Sequence, residues 1–166
     1  MNFLHDIYRL SYIKRYSNIP KIHEESVAEH GFFVSVIVIK LHELYDFDLG
    51  KALLIAVSHD IPEMELNDCP HIIKKKYPKI AEAYEVCEAE VRSKLPKEIA
   101  WGAEEFDKQS TVEAMIVHLA DVIQCIQFSS TEIRMGNDGY MSSVYSNSTR
   151  RKQDLEALLG KYQRNS

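Results

Sequence analysis

Cysteine is one of the residues that this sequence has little of. Its 166 residues include three cysteines at wide spacing, Cys69, Cys87 and Cys125, and no CxxC pair. An odd number of dispersed cysteines excludes a disulfide framework. Such cysteine usage is typical of reducing compartments, so we expect a cytoplasmic protein.

A long uninterrupted apolar run is also missing. The longest one, residues 32–41, contains Ser35 and Lys40 and is too short to span a membrane, which takes about 20 apolar residues. Residues 1–16 carry charge throughout and lack the apolar core of a signal peptide. We therefore expect neither a membrane segment nor a secretory leader.

The chain lacks an excess of basic charge. Asp and Glu (25) outnumber Lys and Arg (20), which gives a net charge of −5. Proteins that bind a nucleic-acid backbone usually show a basic patch, so we expect no nucleic-acid polymer as a partner. A small anionic substrate held by a few placed cations is compatible with this charge.

Apolar residues at helical spacing dominate what is present, while glycine is scarce, with 6 residues. Ser26 and Glu29 form the pattern of a capping box, which predicts a helix as far as about Tyr45. The β-branched residues in FFVSVIVIKL (32–41) leave a strand as the alternative there. Apolar spacing predicts further helices over about residues 3–16, 49–60, 79–95, 111–135 and 149–159, with a short helical turn over 71–76.

Three segments are predicted to be non-helical. They are a loop over residues 62–70, a connector over 101–109, and a second loop over 136–148 that contains GNDG and several serines. We find no repeat and no linker long enough to divide the chain into domains. The sequence therefore predicts one all-α domain over residues 1–166, with about six to seven helices.

Four residues that can bind a metal lie in or beside apolar helices. His30 follows the capping box, the pair His59-Asp60 closes an apolar helix, and Asp121 lies in the apolar helix HLADVIQ. Burying a carboxylate costs several kcal/mol unless it is paired or bound to a cation. Two His and two Asp suit a transition metal better than calcium, so we expect one divalent ion, Co, Mn or Zn.

Each of these residues also has a structural interpretation. A histidine at the end of a buried helix is commonly bonded to a nearby carbonyl, and Asp121 could form a salt bridge with Arg15. By the same reasoning Tyr16 could be a core aromatic, and Lys74, in the run of lysines over residues 74–76, could lie on a solvated face. The four positions become more informative when they are taken together with their surroundings.

The order His…His-Asp…Asp resembles that of the HD-domain phosphohydrolases. Three segments carry the resemblance, namely KRYSNIPKIHEESVAEH (14–30), SHDIPEMELNDCP (58–70) and HLADVIQC (118–125). They are similar to those of the HD-domain 5′-deoxynucleotidases and of the compact phage dATP triphosphohydrolases. The resemblance covers about residues 1–135, which leaves a C-terminal loop and helix over 136–166, and it implies a compact HD-domain helical bundle.

The resemblance implies roles for the residues that match the family. The implied metal ligands are His30, His59, Asp60 and Asp121. Glu63 matches an acidic residue that acts near the attacking water, as a base or an orienter. Asp68 matches a residue implicated in holding the sugar 3′-hydroxyl, although Asn67 stands where the family has glycine before it.

Further residues are implied to bind the nucleotide. Arg15 matches a phosphate-binding arginine, and Lys74 falls near a basic position of the family and could meet a phosphate. Tyr16 falls where relatives have a tryptophan packed against the deoxyribose, so an aromatic ring is kept but is smaller. Asn18, two residues further on, is a candidate for contact with the base.

Together these residues predict a metal-dependent phosphohydrolase of 2′-deoxynucleotides. A metal neutralises the charge of the phosphate ester and lowers the pKa of water, and Arg15 offers a planar fork to phosphate oxygens. The sequence leaves open whether the 5′-phosphate of a dNMP or the triphosphate of dATP or another dNTP is removed. It also leaves open the base preference and the strictness against ribonucleotides.

Other functions compete with this prediction. A hydrolase of cyclic or signalling nucleotides, or of another small phosphoester, is one of them. A regulatory HD module that only binds nucleotide would be expected to have lost a ligand or the base, and a helical adaptor would bind no metal. The resemblance also implies a homo-oligomer, a dimer or a hexamer, in the cytoplasm of a bacterium or of a phage-infected host cell.

Overall fold

The computed structural model describes residues 2–164, apart from the side chains of residues 71 and 72, and its fold over this range is all-α, as predicted. Six of its helices have ten or more residues, which agrees with the predicted number. The helices are α1 (Phe3–Asp6), α2 (Val27–Leu41), α3 (Leu49–Ser58), α4 (Glu63–Leu66), α5 (His71–Lys76), α6 (Pro78–Arg92), α7 (Lys97–Lys108), α8 (Val112–Arg134) and α9 (Asp138–Leu159). Two 3₁₀ turns, Ile7–Ser11 and Gly160–Tyr162, follow α1 and α9.

The capping box at the start of α2 is confirmed. The Ser26 hydroxyl accepts a hydrogen bond from the Glu29 backbone N–H at 3.2 Å, and the Glu29 carboxylate accepts one from the Ser26 N–H at 2.7 Å. The β-branched residues that follow are therefore helical, and the strand alternative is wrong. The cap fixes where the first turn of α2 begins, and His30 lies in that turn, buried.

Two predicted non-helical segments are helical in the structure, the predicted loop over 62–70 contains the short helix α4, and the predicted first helix is shorter. Residues 101–109 were predicted as a connector, but most of them belong to α7. Gly102, which weakens a helix pattern in the sequence, allows α7 to approach α3 closely, since a Cβ there would lie 2.8 Å from the Ser58 Cβ. Helical structure also covers residues 138–148, and the predicted helix over 3–16 ends in a 3₁₀ turn at Ser11.

The serine-rich start of α9 has little helix propensity of its own. It is helical because α9 packs along α8 and buries Met141, Leu155 and Leu159. The end of α8 is marked by Gly136, whose φ of 101° lies in the left-handed region that favours glycine. Packing between α8 and α9 therefore makes this segment helical, although its local sequence predicts a loop.

Helix α8 is the central helix of the bundle. By length and composition it could cross a bilayer, but 61% of its most apolar window is buried inside the protein. Its residues Ile116, Leu119 and Ala120 share one core with residues of α2 and α3, such as Val34 and Ile55. The first turn of α2, the end of α3 and the middle of α8 thus meet at one place, where the candidate site lies.

Candidate functional site

The four candidate metal ligands converge at this meeting point. His30 Nε2 lies 3.5 Å from Asp60 Oδ2 and 3.3 Å from Asp121 Oδ1. His59 Nε2 lies 3.2 Å from Asp60 Oδ2 and 3.3 Å from His30 Nε2. Bonds of about 2.0–2.1 Å from a tetrahedral metal place its ligand atoms about 3.3–3.4 Å apart. The spacing among His30, His59 and Asp60 is that of ligands able to share one transition-metal ion, and Asp121 adjoins this group through His30.

Both carboxylates of this cluster are ionised at neutral pH. Burial by itself would raise the pKa of Asp60, but His59, His30 and Arg15 together lower it to about 2. Burial likewise opposes ionisation of Asp121, while the hydrogen bond from His30 and the charges of His30 and Arg15 lower its pKa well below the ordinary value. Two half-buried negative charges therefore face the two imidazoles, which is an electrostatic setting that favours a cation.

His59 is oriented by the helix that carries it. Its Nδ1 lies 2.7 Å from the Ala56 carbonyl oxygen, one turn earlier on α3. A carbonyl can only accept, so Nδ1 carries a proton, and Nε2 is the nitrogen that faces Asp60. A hydrogen bond to a nearby carbonyl and a role as metal ligand are therefore compatible for His59, because Nδ1 makes the hydrogen bond and Nε2 remains for a metal.

Arg15 reaches the same cluster from the segment before α2. Its Nη1 donates to Glu25 Oε2 at 3.3 Å and to Gln124 Oε1 at 3.0 Å, and it also lies against His30 Nδ1. Its Nη2 is 4.0 Å from Asp121 Oδ1, farther than the 3.3 Å between His30 and Asp121. The Arg15–Asp121 pair expected as a structural alternative is thus present only at long range, and the guanidinium lies beside the candidate metal ligands.

Glu63 and Asp68 lie on the other side of Asp60. Glu63 begins α4, and its Oε2 is buried and accepts no hydrogen bond from the described residues. Burial and the charges of Asp60 and Asp68 raise the pKa of Glu63 well above its ordinary value. Burial also raises the pKa of Asp68, against the opposing effect of Arg15.

Tyr16 is held in an unusual backbone conformation beside Arg15. Its φ of 54° is left-handed, as is the φ of 62° at Asn67, next to Asp68. Such positions cluster at functional sites because they persist only where the surroundings fix them. The Tyr16 ring stacks on Phe128 at 5.1 Å, and its buried hydroxyl forms no hydrogen bond within the described part of the chain.

Two predicted nucleotide-binding residues, Lys74 and Asn18, are less closely connected to the cluster of candidate metal ligands. Lys74 Nζ is 3.0 Å from Glu88 Oε1 and lies over the Tyr84 ring, so its charge is paired, although it still lowers the pKa of nearby Glu63. Asn18 is exposed and makes none of the hydrogen bonds that connect the cluster. Contacts of both residues with a substrate stay predictions.

Sequence reasoning missed three buried polar residues around this site. Glu25 and Gln124 contact Arg15 directly, and Glu132 anchors the loop that follows Tyr16. The sequence offered only a weak indication of these residues, since Gln124 and Glu132 are two polar residues on the largely apolar helix α8. Their partners lie about a hundred residues away, so only the fold reveals them.

Glu132 ties this loop to α8. It has no exposed surface, and its carboxylate accepts hydrogen bonds from the backbone N–H groups of Ile22 at 2.8 Å and His23 at 2.7 Å, and from Asn137 at 2.8 Å. Burial alone would raise the pKa of Glu132, but these three hydrogen bonds outweigh it and lower the pKa. The ionised carboxylate therefore stabilises the fold near the candidate site.

We expect Glu132→Gln to lower the free energy of unfolding at neutral pH by about 1–3 kcal/mol, because one buried acceptor is replaced by a donor. The native pKa is lowered, so the stabilisation is complete above the unfolded pKa of about 4.3 and is lost as the pH falls through the native value. Urea unfolding at pH 7 and pH 4 measures this, with the partly exposed Glu156→Gln as control. Equal stability of wild type and Glu132→Gln at pH 7 would contradict the assignment.

Comparison with known proteins agrees with this geometry. The 5′-deoxynucleotidase YfbR-like family matches residues 2–158. The 5′-deoxynucleotidase PM0747 of Pasteurella multocida is 32% identical over 149 residues, which are 81% of this chain and 76% of the relative.

Solved structures show the same fold. A conserved hypothetical protein of Pyrococcus furiosus superposes with a TM-score of 0.78 at 26% identity, over 93% of this chain and 90% of the other. The HD phosphohydrolase DatZ of cyanophage S-2L, solved with dA and one catalytic Zn²⁺ ion, has a TM-score of 0.65 at 16% identity over 95% and 94% of the two chains. The chain thus belongs to the YfbR-like 5′-deoxynucleotidases and has the fold of the HD phosphohydrolases.

Proposed function

We propose that this protein is a metal-dependent phosphohydrolase that removes the 5′-phosphate from 2′-deoxynucleoside monophosphates. The observation that carries the proposal is the cluster of donor atoms from His30, His59 and Asp60 at distances of 3.2–3.5 Å, with Asp121 Oδ1 3.3 Å from His30 Nε2. We assign these four side chains as the ligands of one divalent transition metal. Their two carboxylates and two imidazoles match the donor set that Zn, Co and Mn accept.

The remaining residues then have definite tasks. A divalent metal at this site supplies positive charge to the phosphate oxygens and lowers the pKa of water toward about 7. Arg15 presents a permanently charged fork to the phosphate beside the metal ligands. Glu63 accepts the proton of the attacking water through its unpartnered Oε2. Asp68 and Tyr16 flank Arg15 and bind the sugar.

Support for a monophosphate substrate comes from the family and its curated relatives, whose names describe 5′-deoxynucleotidases. The likeness to the phage enzyme is one of fold, at 16% identity. A nucleotide-binding regulator without activity would be expected to have lost part of the site, whereas all four ligand residues and Glu63 are present. The enzyme interpretation is therefore favoured over the regulator.

A substrate panel tests the proposal. It comprises the eight deoxy and ribo nucleoside monophosphates and the eight corresponding triphosphates, each assayed with Mn, Co and Zn. We expect orthophosphate and deoxynucleoside from the deoxy monophosphates. Release of triphosphate from dATP, in the absence of monophosphate hydrolysis, would replace the proposal with a triphosphohydrolase, and turnover without any metal would overturn it.

We expect Arg15→Lys to raise KM for the nucleotide about tenfold or more, because an ammonium cannot replace the bidentate guanidinium fork and charged hydrogen bonds contribute about 1.5–3 kcal/mol. Initial rates over a range of dNMP concentrations measure the change. The matched control is Arg92→Lys, an arginine on α6 that pairs with Asp107 away from the cluster. An unchanged KM would place Arg15 outside the phosphate site.

We propose further that the chain forms a homodimer through one face of α2. Phe32, Phe33, Val36 and Ile39 expose 65%, 48%, 47% and 51% of their surface, and positions 32, 36 and 39 lie on one side of the helix. Isolated apolar residues on a surface are ordinary, but a contiguous apolar patch marks an interface.

A groove of about 510 Å³ borders this patch and is lined by Phe32, Phe33, Lys14, Glu24 and Glu29, among others. In a twofold dimer the same patch of the two copies meets itself, so each apolar face would cover the other. We therefore propose a second copy of this chain as the occupant of this face.

Light scattering with size-exclusion chromatography tests the dimer. We expect wild type to elute at twice the mass of one chain and Phe32→Lys to elute as a monomer, because a charge would be buried at the centre of the patch. Leu158→Lys, at a 61% exposed leucine on α9, is the control and should stay dimeric. A monomeric wild type, or a dimeric Phe32→Lys variant, would contradict the proposed interface.

A further inference from the structure

A buried glutamine joins the metal and phosphate parts of the site. Gln124 lies on α8, three residues after Asp121, and is 4% exposed. Its Oε1 is 2.9 Å from His30 Nδ1 and 3.0 Å from Arg15 Nη1, and its Nε2 donates to Glu25 Oε1. Glu25 is itself 5% exposed. One side-chain amide thus contacts a carboxylate, a guanidinium and an imidazole, all shielded from solvent.

The chemistry of its neighbours fixes which way this amide points. An ionised carboxylate only accepts hydrogen bonds, and a guanidinium only donates them. The Gln124 Nε2 must therefore face Glu25, and Oε1 must face Arg15. The reverse orientation would set an oxygen against the Glu25 carboxylate and an NH₂ group against the Arg15 donor.

The fixed amide in turn selects the protonation of His30. Because Gln124 Oε1 can only accept, the His30 nitrogen at 2.9 Å must donate, so Nδ1 carries the proton. Nε2 is then the nitrogen that faces Asp60 and Asp121. Without a metal it can donate to Asp121, and with a metal bound it would offer its lone pair to the ion. His59 reaches the same tautomer through the Ala56 carbonyl, so both imidazoles present Nε2 to the same point.

We propose that Gln124, held by Glu25, is a positioning residue that keeps His30 in the Nδ1–H tautomer and so prepares it to bind the metal. The proposal rests on the proposed function for His30 as a ligand, but the tautomer itself does not depend on catalysis. Outer hydrogen-bond partners of metal-bound histidines typically change metal affinity 10–100-fold. Since Arg15 donates to the same oxygen, one amide positions both a metal ligand and the phosphate-binding group.

Arg15 and Gln124 both approach His30 Nδ1, so a second hydrogen-bond arrangement competes with the first. Arg15 Nη1 also lies against His30 Nδ1, and a hydrogen bond between them would require Nδ1 without a proton. His30 would then be the Nε2–H tautomer, which cannot offer Nε2 to a metal. The two arrangements differ in which ring nitrogen of His30 is protonated, and that difference is measurable.

The tautomer is read from long-range ¹H–¹⁵N correlation spectra of the full-length protein labelled at its histidine rings. Spectra of metal-free and Zn²⁺-loaded protein are recorded. We expect a proton on His30 Nδ1 in both states of the wild type. A His30 Nδ1 without a proton in the metal-free wild type would overturn the proposal in favour of the Arg15–His30 bond.

Variants test the hydrogen bonds that link Glu25, Gln124 and His30. We expect Gln124→Leu to lose the fixed tautomer and to bind Co²⁺ or Zn²⁺ about 10–100-fold more weakly, whereas Gln127→Leu, an exposed glutamine on the same helix, should be unchanged. Gln124→Glu sets two carboxylates against each other and should weaken metal binding. The exchanged pair Glu25→Gln with Gln124→Glu restores donor and acceptor and should recover it, which a purely structural role would not predict.

Two outcomes separate this proposal from the proposed function. If Gln124→Leu had a native fold by circular dichroism and bound metal as tightly as wild type, the proposed role of Gln124 would be overturned. The metal site itself would remain supported. A wild type that binds neither Co²⁺ nor Zn²⁺ would overturn the proposed function, and the metal-free spectra would still decide the His30 tautomer.

Discussion

Replacing Asp60 with alanine is expected to abolish metal binding and turnover together. Asp60 Oδ2 lies 3.2 Å from His59 Nε2 and 3.5 Å from His30 Nε2, so it contacts both imidazoles of the cluster. The substitution removes one ligand and one of two half-buried negative charges that compensate a cation. Since the loss of mere outer partners costs 10–100-fold in metal affinity, the loss of a ligand should cost more than about 100-fold.

Plasma emission spectroscopy of the purified variant and an assay of phosphate release measure the two effects on the same sample. Asp46→Ala is the control, because the Asp46 side chain is 84% exposed and lies outside the cluster. We expect the control to retain metal and activity. An Asp60→Ala protein that kept its turnover would remove Asp60 from the set of ligands.

The second large effect is expected from Glu63→Ala, which should retain metal but lower kcat by about 10²–10⁴. Glu63 begins α4, four residues after His59, and its Oε2 has no hydrogen-bond partner among the described residues. Burial and neighbouring carboxylates raise the pKa of Glu63, and a cation beside Asp60 would offset part of this like-charge effect. The group is thus placed to accept a proton without serving as a ligand.

Glu65→Ala provides a matched control for that prediction, since Glu65 lies in the same short helix but is exposed. Metal content and kcat are measured for both variants. We expect the two proteins to contain equal metal and to differ in rate. If Glu63→Ala turned over dNMP as fast as the control, a role for Glu63 in proton transfer would be excluded.

Much of the fold could be predicted because its determinants are local. The capping box of Ser26 and Glu29 set the start of α2, and the apolar spacing of α3 and α8 set those helices. Segments whose structure depends on distant partners were predicted wrongly. Residues 101–109 were predicted as a connector, whereas they belong largely to α7, which packs closely on α3 where Gly102 approaches Ser58. The serines of α9 are helical only because they continue a helix packed on α8.

In the candidate site, too, the sequence revealed some residues and not those whose role depends on distant partners. His30, His59, Asp60 and Asp121 were predicted because their residue types and order resemble a known pattern. The structure groups the first three and places Asp121 beside His30. Gln124 and Glu25 were not found, because the hydrogen bond between them joins residues 99 positions apart. Nor could the sequence show that Lys74 already pairs with Glu88. Donor and acceptor partners of buried groups depend on tertiary structure, so no local pattern reveals them.

The most direct test of the metal site is an anomalous difference map from crystals of the protein grown with Zn²⁺ or Mn²⁺. We expect one peak within about 2.0–2.2 Å of His30 Nε2, His59 Nε2 and one carboxylate oxygen each of Asp60 and Asp121. A peak bound elsewhere, or one that leaves any two of these four donors beyond bonding distance, would contradict the assignment.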